Sequence, residues 1–461
     1  MSHRDARVRL NVVCLRRCLR WLLSGATWST IAFRSDCRWT PQTLTSAALL
    51  WAWSDELTLG ERFRTVRKII LCLTSSQQQL AGSYQAFVKI LRHWTNDLSQ
   101  RLTLTLRRQM QETLPPHWRI GGWLMFGVDG SRIELPRTYS HEQAYSTIRH
   151  HRQGKNRYGK RMAAKDAQKA NSPQLWITTM WHAGTGLPWG WRIGPADSSE
   201  RTHLQEMLSD LPTGALVAAD AGFVGYEGMR EILDEGLQFL IRVGSNVRLL
   251  KQLGWARELA DTVYLWPDQK ARKKLPPLVL RLVVAHNGKH PVYLVTSVLS
   301  RRLLSDRQVV ELYAKRWGIE LFYRHLKQTF QRRKLLSTSA ANARIEMEWS
   351  LLGLWAMALY ALVETTRQHV PPERLSFAQL LLAFRRTLRD YLHPTERRGR
   401  LCERLRQAIV DTYVRQNKAS RNHPKKKQEQ APGPPLILKA TSLQRKRAQL
   451  IKRQLSIRLT A

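Results

Sequence analysis

The stretch YAKRWGIELFYRHLK, residues 313–327, sets a single carboxylate, Glu320, among two lysines and two arginines. At about 100° per residue, Arg316, Glu320, Arg324 and Lys327 fall within roughly 80° of one another on a helix, close to Tyr313. Ile319, Phe322 and Leu326 form an apolar stripe beside them. The pattern predicts a long helix beginning near Asp306, where Ser305 and Gln308 have capping-box spacing and Leu304 precedes them as a staple residue. One flank can pack on a sheet while the other presents a carboxylate among cations and a phenol. Arg316–Glu320 and Glu320–Arg324 are by themselves ordinary i,i+4 pairs, worth a few tenths of a kcal/mol each. The chemistry therefore turns on what the rest of the chain brings to this face.

Upstream, Trp123 to Val128 is a short apolar run between a glycine pair and DGS, which reads as a buried strand ending at Asp129. QLWITTMWHAGTGLPWGWRIG gives two strands joined around HAGTG. SERTHLQEMLS reads as a helix, GALVAADAGFVG as a strand delivering Asp220, YEGMREILDEG as a helix and LQFLIRV as a strand. This order predicts a mixed α/β layer in which strand ends share a crevice. Residues 244–303 interrupt the rhythm with strand material, including a hairpin turn at Asn287–Gly288. The basic stretch 149–170 reads as an exposed loop.

Asp129 and Asp220 are each followed by small residues, and with Glu320 they make an oxygen-ligand set suited to Mg2+. Two divalent ions so held can activate a water or a DNA 3′-hydroxyl and stabilise the leaving oxygen of a phosphodiester. Arg316, Arg324 and Lys327 suit flanking phosphates, Arg bidentately and Lys as a point charge. Tyr313 can donate a hydroxyl to a phosphate or stack on a base. Asp197 and Glu200 compete for a place in the carboxylate set. His182 and His325 lack a second ligand at a telling spacing. HExxH is absent, and the HNGKH pair His286 and His290 spans an Asn-Gly turn.

Composition agrees with a polyanionic partner: 75 Lys plus Arg against 35 Asp plus Glu give a formal charge of +40. The five cysteines, Cys14, Cys18, Cys37, Cys72 and Cys402, form no CxxC pair and read as reduced thiols. Charges interrupt every apolar stretch short of about 18 residues, and Arg16, Arg17 and Arg20 break up any secretory h-region, so no membrane partner and a cytoplasmic, nucleoid-associated location are expected. Residues 1–115 read as a helical, DNA-binding region, 116–243 and 304–350 as the two parts of a catalytic core, 244–303 as a β-rich insertion, and 351–411 as a helical region suited to dimerisation. Residues 412–461 carry 13 Lys or Arg against one acid, Glu429, with PKKK and APGPP inside, and read as a flexible phosphate-touching arm.

These motifs resemble those of the DDE transposases of bacterial insertion sequences, specifically the family with a Tyr-x2-Arg-x3-Glu-x6-Lys motif. Tyr313, Arg316, Glu320 and Lys327 fill every position of it; VDGS at Asp129 and AADAGFVG at Asp220 resemble the two aspartate segments. Spanning roughly residues 120–350, the resemblance implies an RNase H-like catalytic fold with a β-rich insertion before the catalytic Glu. It implies Asp129, Asp220 and Glu320 as catalytic ligands of two Mg2+ ions, for which Mn2+ can substitute, with Tyr313, Arg316 and Lys327 contacting DNA near the cleaved end. Arg324 rests on the helical-face argument alone. Trp266, in the insertion, is a candidate for stacking on a flipped base, against the plainer reading of a core aromatic. The expected partners are double-stranded DNA with terminal inverted repeats, target DNA and a second copy of the chain in a synaptic homodimer. The alternatives are a structure-specific nuclease that hydrolyses without joining, and a noncatalytic DNA-binding descendant of a transposase.

Overall fold

The computed structural model describes residues 14–26, 28–74, 80, 82–146, 172–286, 290–392, 400–410 and 433–460. The expected basic loop over 149–170, the Asn287–Gly288 turn and most of the arm's first half lie outside them. Helix α1 (residues 14–23) is followed by α2 (Pro41–Trp53), α3 (Leu59–Thr74) and α4 (Tyr84–Thr113). Thr40 caps α2 by accepting from the Thr43 N–H, and Ser83 caps α4 by accepting from that of Ala86.

Strand β1 (Met125–Glu134) and helix α5 (Tyr139–Tyr145) lead to the hairpin β2 (Gln174–His182) and β3 (Leu187–Gly194), then α6 (Glu200–Gln205), β4 (Leu216–Ala219), α7 (Tyr226–Asp234) and β5 (Gln238–Val243). Pairing runs β3-β2-β1-β4-β5, with β2 antiparallel to both neighbours and β1, β4 and β5 parallel. This mixed sheet, with helices on it, is consistent with an RNase H-like fold. Asp220 lies immediately after β4, as its position after an apolar run predicts, whereas Asp129, expected at a strand's end, lies in the middle of β1, which continues through the polar residues to Glu134.

The expected insertion supplies β6 (Arg248–Lys251), β7 (Thr262–Leu265), α8 (Asp268–Arg272), β8 (Leu278–His286) and β9 (Pro291–Thr296). These strands continue the same sheet, because β9 pairs antiparallel with β5. Trp266 is buried there, its Nε1 donating to the Leu275 carbonyl at 2.9 Å, which is the setting of a core aromatic.

Two further expectations are corrected. Residues 306–327 form α9 (Asp306–Lys315), a tightened turn, α10 (Gly318–Arg324) and a π-turn over 325–329, where the sequence predicts one long helix. Between α9 and α10 the N–H groups of Arg316, Trp317, Ile319 and Glu320 each bond three residues back, as in a 3₁₀ helix. The cause is tertiary: a Cβ added at Gly318 would lie 2.1 Å from the ring of Trp181 on β2, so the backbone itself packs on the indole. The capping box at Ser305 and Gln308 is present.

The arm is likewise structured where it is described. β10 (Leu436–Lys439) pairs parallel with β6, completing a ten-stranded sheet ordered β10-β6-β7-β8-β9-β5-β4-β1-β2-β3, and α14 (Ser442–Thr460) follows it. A short apolar run, LILK, can satisfy its backbone on a free strand edge even inside a basic segment.

Helix α11 (Ala340–Thr366) is buried on nearly every side along most of its length and organises the helical side, with α12 (Phe377–Leu392) and α13 (Leu401–Arg406) beside it. Trp53 Nε1 donates to the Gly353 carbonyl at 2.8 Å, Trp349 Nε1 to Thr95 Oγ1 at 3.0 Å, and Trp191 Nε1 on β3 to Glu348 at 2.9 Å. Buried Arg332 donates to the carbonyls of Ala52 and Phe330 and to Ser350. The N-terminal helices thus share one core with the sheet, and the expected boundary at 350 falls inside α11. Among the described residues no helix is long and apolar enough to cross a membrane.

Candidate active site

Parallel pairing sets Gly127 of β1 against Ala218 of β4. Two residues further along each strand, Asp129 and Asp220 therefore emerge side by side. Each holds one carboxylate oxygen against a following glycine: Gly130 N–H donates to Asp129 Oδ1 at 2.9 Å, and Gly222 N–H to Asp220 Oδ1 at 2.8 Å. The small residues after each Asp thus fix its rotamer and leave the second oxygen available.

Helix α10 is fastened to β1 and β2 by Tyr323, whose hydroxyl lies 2.8 Å from the Asp129 carbonyl and 3.2 Å from that of Ile177. Tyr323 lies between Glu320 and Lys327, where helical spacing alone gives it no role. A buried phenol one helical turn after Glu320 is the signal that could have suggested one.

The charges of Asp220 and Glu320 both reach Asp129. Burial first, then these two carboxylates, push the Asp129 carboxyl up to about 6, against the opposing Gly130 N–H and the Arg316 guanidinium. Glu200, at the start of α6, joins the group from the Gly130 side, where a Cβ on that glycine would meet its Oε1. Burial and the charges of Asp129 and Asp220 push Glu200 up to about 7, with Arg132 opposing. Asp197 is exposed in the loop before α6. Glu200 is thus the competitor that the fold brings to the site.

Arg316 Nη2 lies 3.5 Å from Glu320 Oε1, with side chains 8% and 43% exposed respectively. Tyr313 is buried, its ring 5.5 Å from the Arg316 guanidinium, so it is not a free stacking platform. Burial first raises the Tyr313 hydroxyl above the ordinary phenol range. Lys327 is half-buried on the π-turn and lowered, first by burial, against the charge of Glu134. Arg324 is exposed. It lines a cavity of about 590 Å³ beside Glu320, together with Trp181, Trp317, Phe322 and His325. His182 and His325 are occupied structurally: His182 Nδ1 accepts from the Thr185 N–H, and His325 stacks on Phe377 at 4.3 Å.

As donors, Asp129, Asp220 and Glu320 suit a hard divalent cation, and their mutual repulsion is what such an ion would relieve. In placement they are not assembled: among the described residues no three His, Cys, Asp or Glu side chains are gathered so as to hold a metal.

Residues 128–355 match the family described as "Transposase DDE domain". The chain is 24% identical over 292 residues to the transposase InsG for insertion sequence element IS4 of Escherichia coli (strain K12), an alignment covering 60% of this chain and 62% of that protein. It is 24% identical over 158 residues to the putative transposase for insertion sequence element IS4SA of Synechocystis sp., covering 33% of this chain and 43% of that one. The matches thus span under two thirds of these relatives. A solved piggyBac transposase synaptic complex with hairpin DNA is similar over 88% of each chain, at 10% identity and a TM-score of 0.41, too low to align individual residues.

Proposed function

We propose, from a relationship at family level to DDE transposases and to the transposases of IS4-type elements, that the chain cleaves DNA at the terminal inverted repeats of an insertion sequence and joins the freed ends to target DNA. The observation that carries this reading is the meeting of Asp129 and Asp220 at neighbouring strands beneath a helix bearing Glu320. Those three residues would hold two Mg2+ ions, for which Mn2+ substitutes; once bound, the ions supply Lewis-acid charge at the scissile phosphate.

The chain's own groups do the rest. The two glycine N–H groups each hold one oxygen of an aspartate, and Tyr323 ties α10, which bears Glu320, to the main chain of β1 and β2. Arg316 and Lys327 border the carboxylates and would clamp the phosphates on either side of the cut, while Arg324 faces the open cavity next to Glu320. The excess of cations attracts the duplex, and a second copy of the chain would hold the other element end.

The test uses duplexes carrying the candidate element's ends, with Mg2+ or Mn2+, and sequencing of the products for nicks and joints. Wild type gives both; nicks without joints would instead identify a hydrolytic nuclease. Asp129→Asn, Asp220→Asn and Glu320→Gln are expected to keep DNA binding and lose cleavage by roughly three orders of magnitude or more. Cleavage at wild-type rate by Asp129→Asn would remove the assignment.

A further inference from the structure

Arg316 is placed oddly for a residue that only waits for DNA. Its stem passes Gly127, where an added Cβ would lie 3.8 Å from Arg316 Cγ, and its charge reaches Asp129. Its guanidinium lies 5.5 Å from the ring of Tyr313 and 5.6 Å from that of Trp317. The ion pair it makes, with Glu320, is long at 3.5 Å, and its Nε is buried with no hydrogen-bond partner among the described residues. A guanidinium has five N–H donors, and leaving the one on Nε buried without an acceptor is costly. It is a cation held ready for a better anion. It pairs with Glu320 while its charge also reaches Asp129, and Asp129 feels both Asp220 and Glu320 although the three acids are not gathered.

We infer that Arg316 is a positioning residue that holds Glu320 apart from Asp129 and Asp220 until a DNA phosphate captures its guanidinium, so that DNA and divalent cations bind with positive coupling. The inference rests on the reading of the three carboxylates given above. A phosphate offers the fork two strong acceptors in place of one distant carboxylate oxygen, so the exchange favours the guanidinium. Glu320, left without its partner, is then free to turn toward the aspartates, and their joint negative charge favours a divalent cation. A cation bound while Arg316 still faces Glu320 would meet the guanidinium's repulsion. By linkage, whatever factor DNA adds to cation affinity, the cation adds to DNA affinity.

The experiment measures Mn2+ binding by full-length chain, from the paramagnetic resonance signal of free Mn2+, with and without the end duplex and after subtracting duplex alone. Wild type is expected to bind Mn2+ about tenfold more tightly with the duplex present. Arg316→Gln is expected to bind Mn2+ more tightly than wild type without DNA, by a similar factor, and to respond little to DNA. Loss of a merely structural side chain would not strengthen cation binding. If the Gln variant does not fold, Arg316→Lys carries the test: it keeps the charge without the fork and should retain only part of the DNA response. A Gln variant that binds Mn2+ no more tightly than wild type, or a Lys variant with the full response, overturns the inference. Asp129→Asn separates the two levels. If it binds Mn2+ as wild type does, the carboxylate reading itself fails; if it loses Mn2+ while the Arg316 variants behave as wild type, only the role of Arg316 fails.

Discussion

At the scale of single residues, Gly318 decides where Glu320 points. Its backbone rests on the Trp181 indole, and a methyl group there would overlap the ring at 2.1 Å from one carbon and 2.4 Å from another. Gly318→Ala is therefore expected to cost about 1–3 kcal/mol in urea denaturation and to lower cleavage by displacing α10. Combining it with Trp181→Phe, which shortens the ring, should cost less than the sum of the two single changes. Additive costs would show that the two residues do not press on each other. The placement of both aspartates at strands was legible because an apolar run precedes each and a glycine follows within two residues. Gly318 was not: its partner lies more than a hundred residues away, and nothing local distinguishes WGIE from an ordinary helical turn. Glu200 was legible only as a rival, because the approach of α6 to Gly130 is a tertiary fact.

At the scale of elements, alternating strands and helices from β1 to β5 follow the sequence reading closely, since each has its own period and its own turn residues. What the pattern could not carry was how far the sheet extends. Edge pairing joins segments with no local trace in either, so the strands after residue 243 read as a β-rich insertion without a pairing partner and LILK as part of a flexible arm. The basic residues around LILK mask the run, although four residues are enough for a strand. Removing residues 433–461 is expected to strip β6 of its parallel partner, uncovering the buried Leu249 and Leu250 along a raw edge. The truncated chain should show a lower thermal midpoint and concentration-dependent association in sedimentation. Unchanged stability would mean that β10 adds nothing to the sheet.

At the scale of the whole molecule, buried ionisable groups oppose one another across a single pH window. His182 and His325 are held down at about 4, chiefly by burial, and His117 and His203 are lowered as well. Unfolded histidine titrates near 6.5, so unfolding takes up protons between about 6.5 and 4, and this part of the stability is lost as pH falls. Asp129 and Glu200 are raised and act with the opposite sign, favouring the fold at low pH and losing that contribution as pH rises through about 6 and 7. Overall stability should therefore vary little there, while a difference between two proteins isolates one group. His182 Nδ1 accepts from the Thr185 N–H, which a protonated ring cannot do. Wild type's advantage over His182→Gln is expected to shrink by about 3 kcal/mol between pH 6.5 and 4 in chemical denaturation. A constant difference would show that His182 keeps its ordinary affinity for a proton.

The helix at the centre of the helical side also sets a timetable. Trp53 and Ala52 meet their partners, Gly353 and Arg332, about 280–300 residues later in the chain. On a ribosome adding about 5–20 residues per second, the apolar faces of α2 and α4 wait roughly 10–45 s after α4 is complete before α11 begins to emerge. During that interval they are bare oily surfaces in a crowded cell. Slower growth in the cold, or added holding chaperones, should accordingly raise the soluble yield more than any change at the carboxylates.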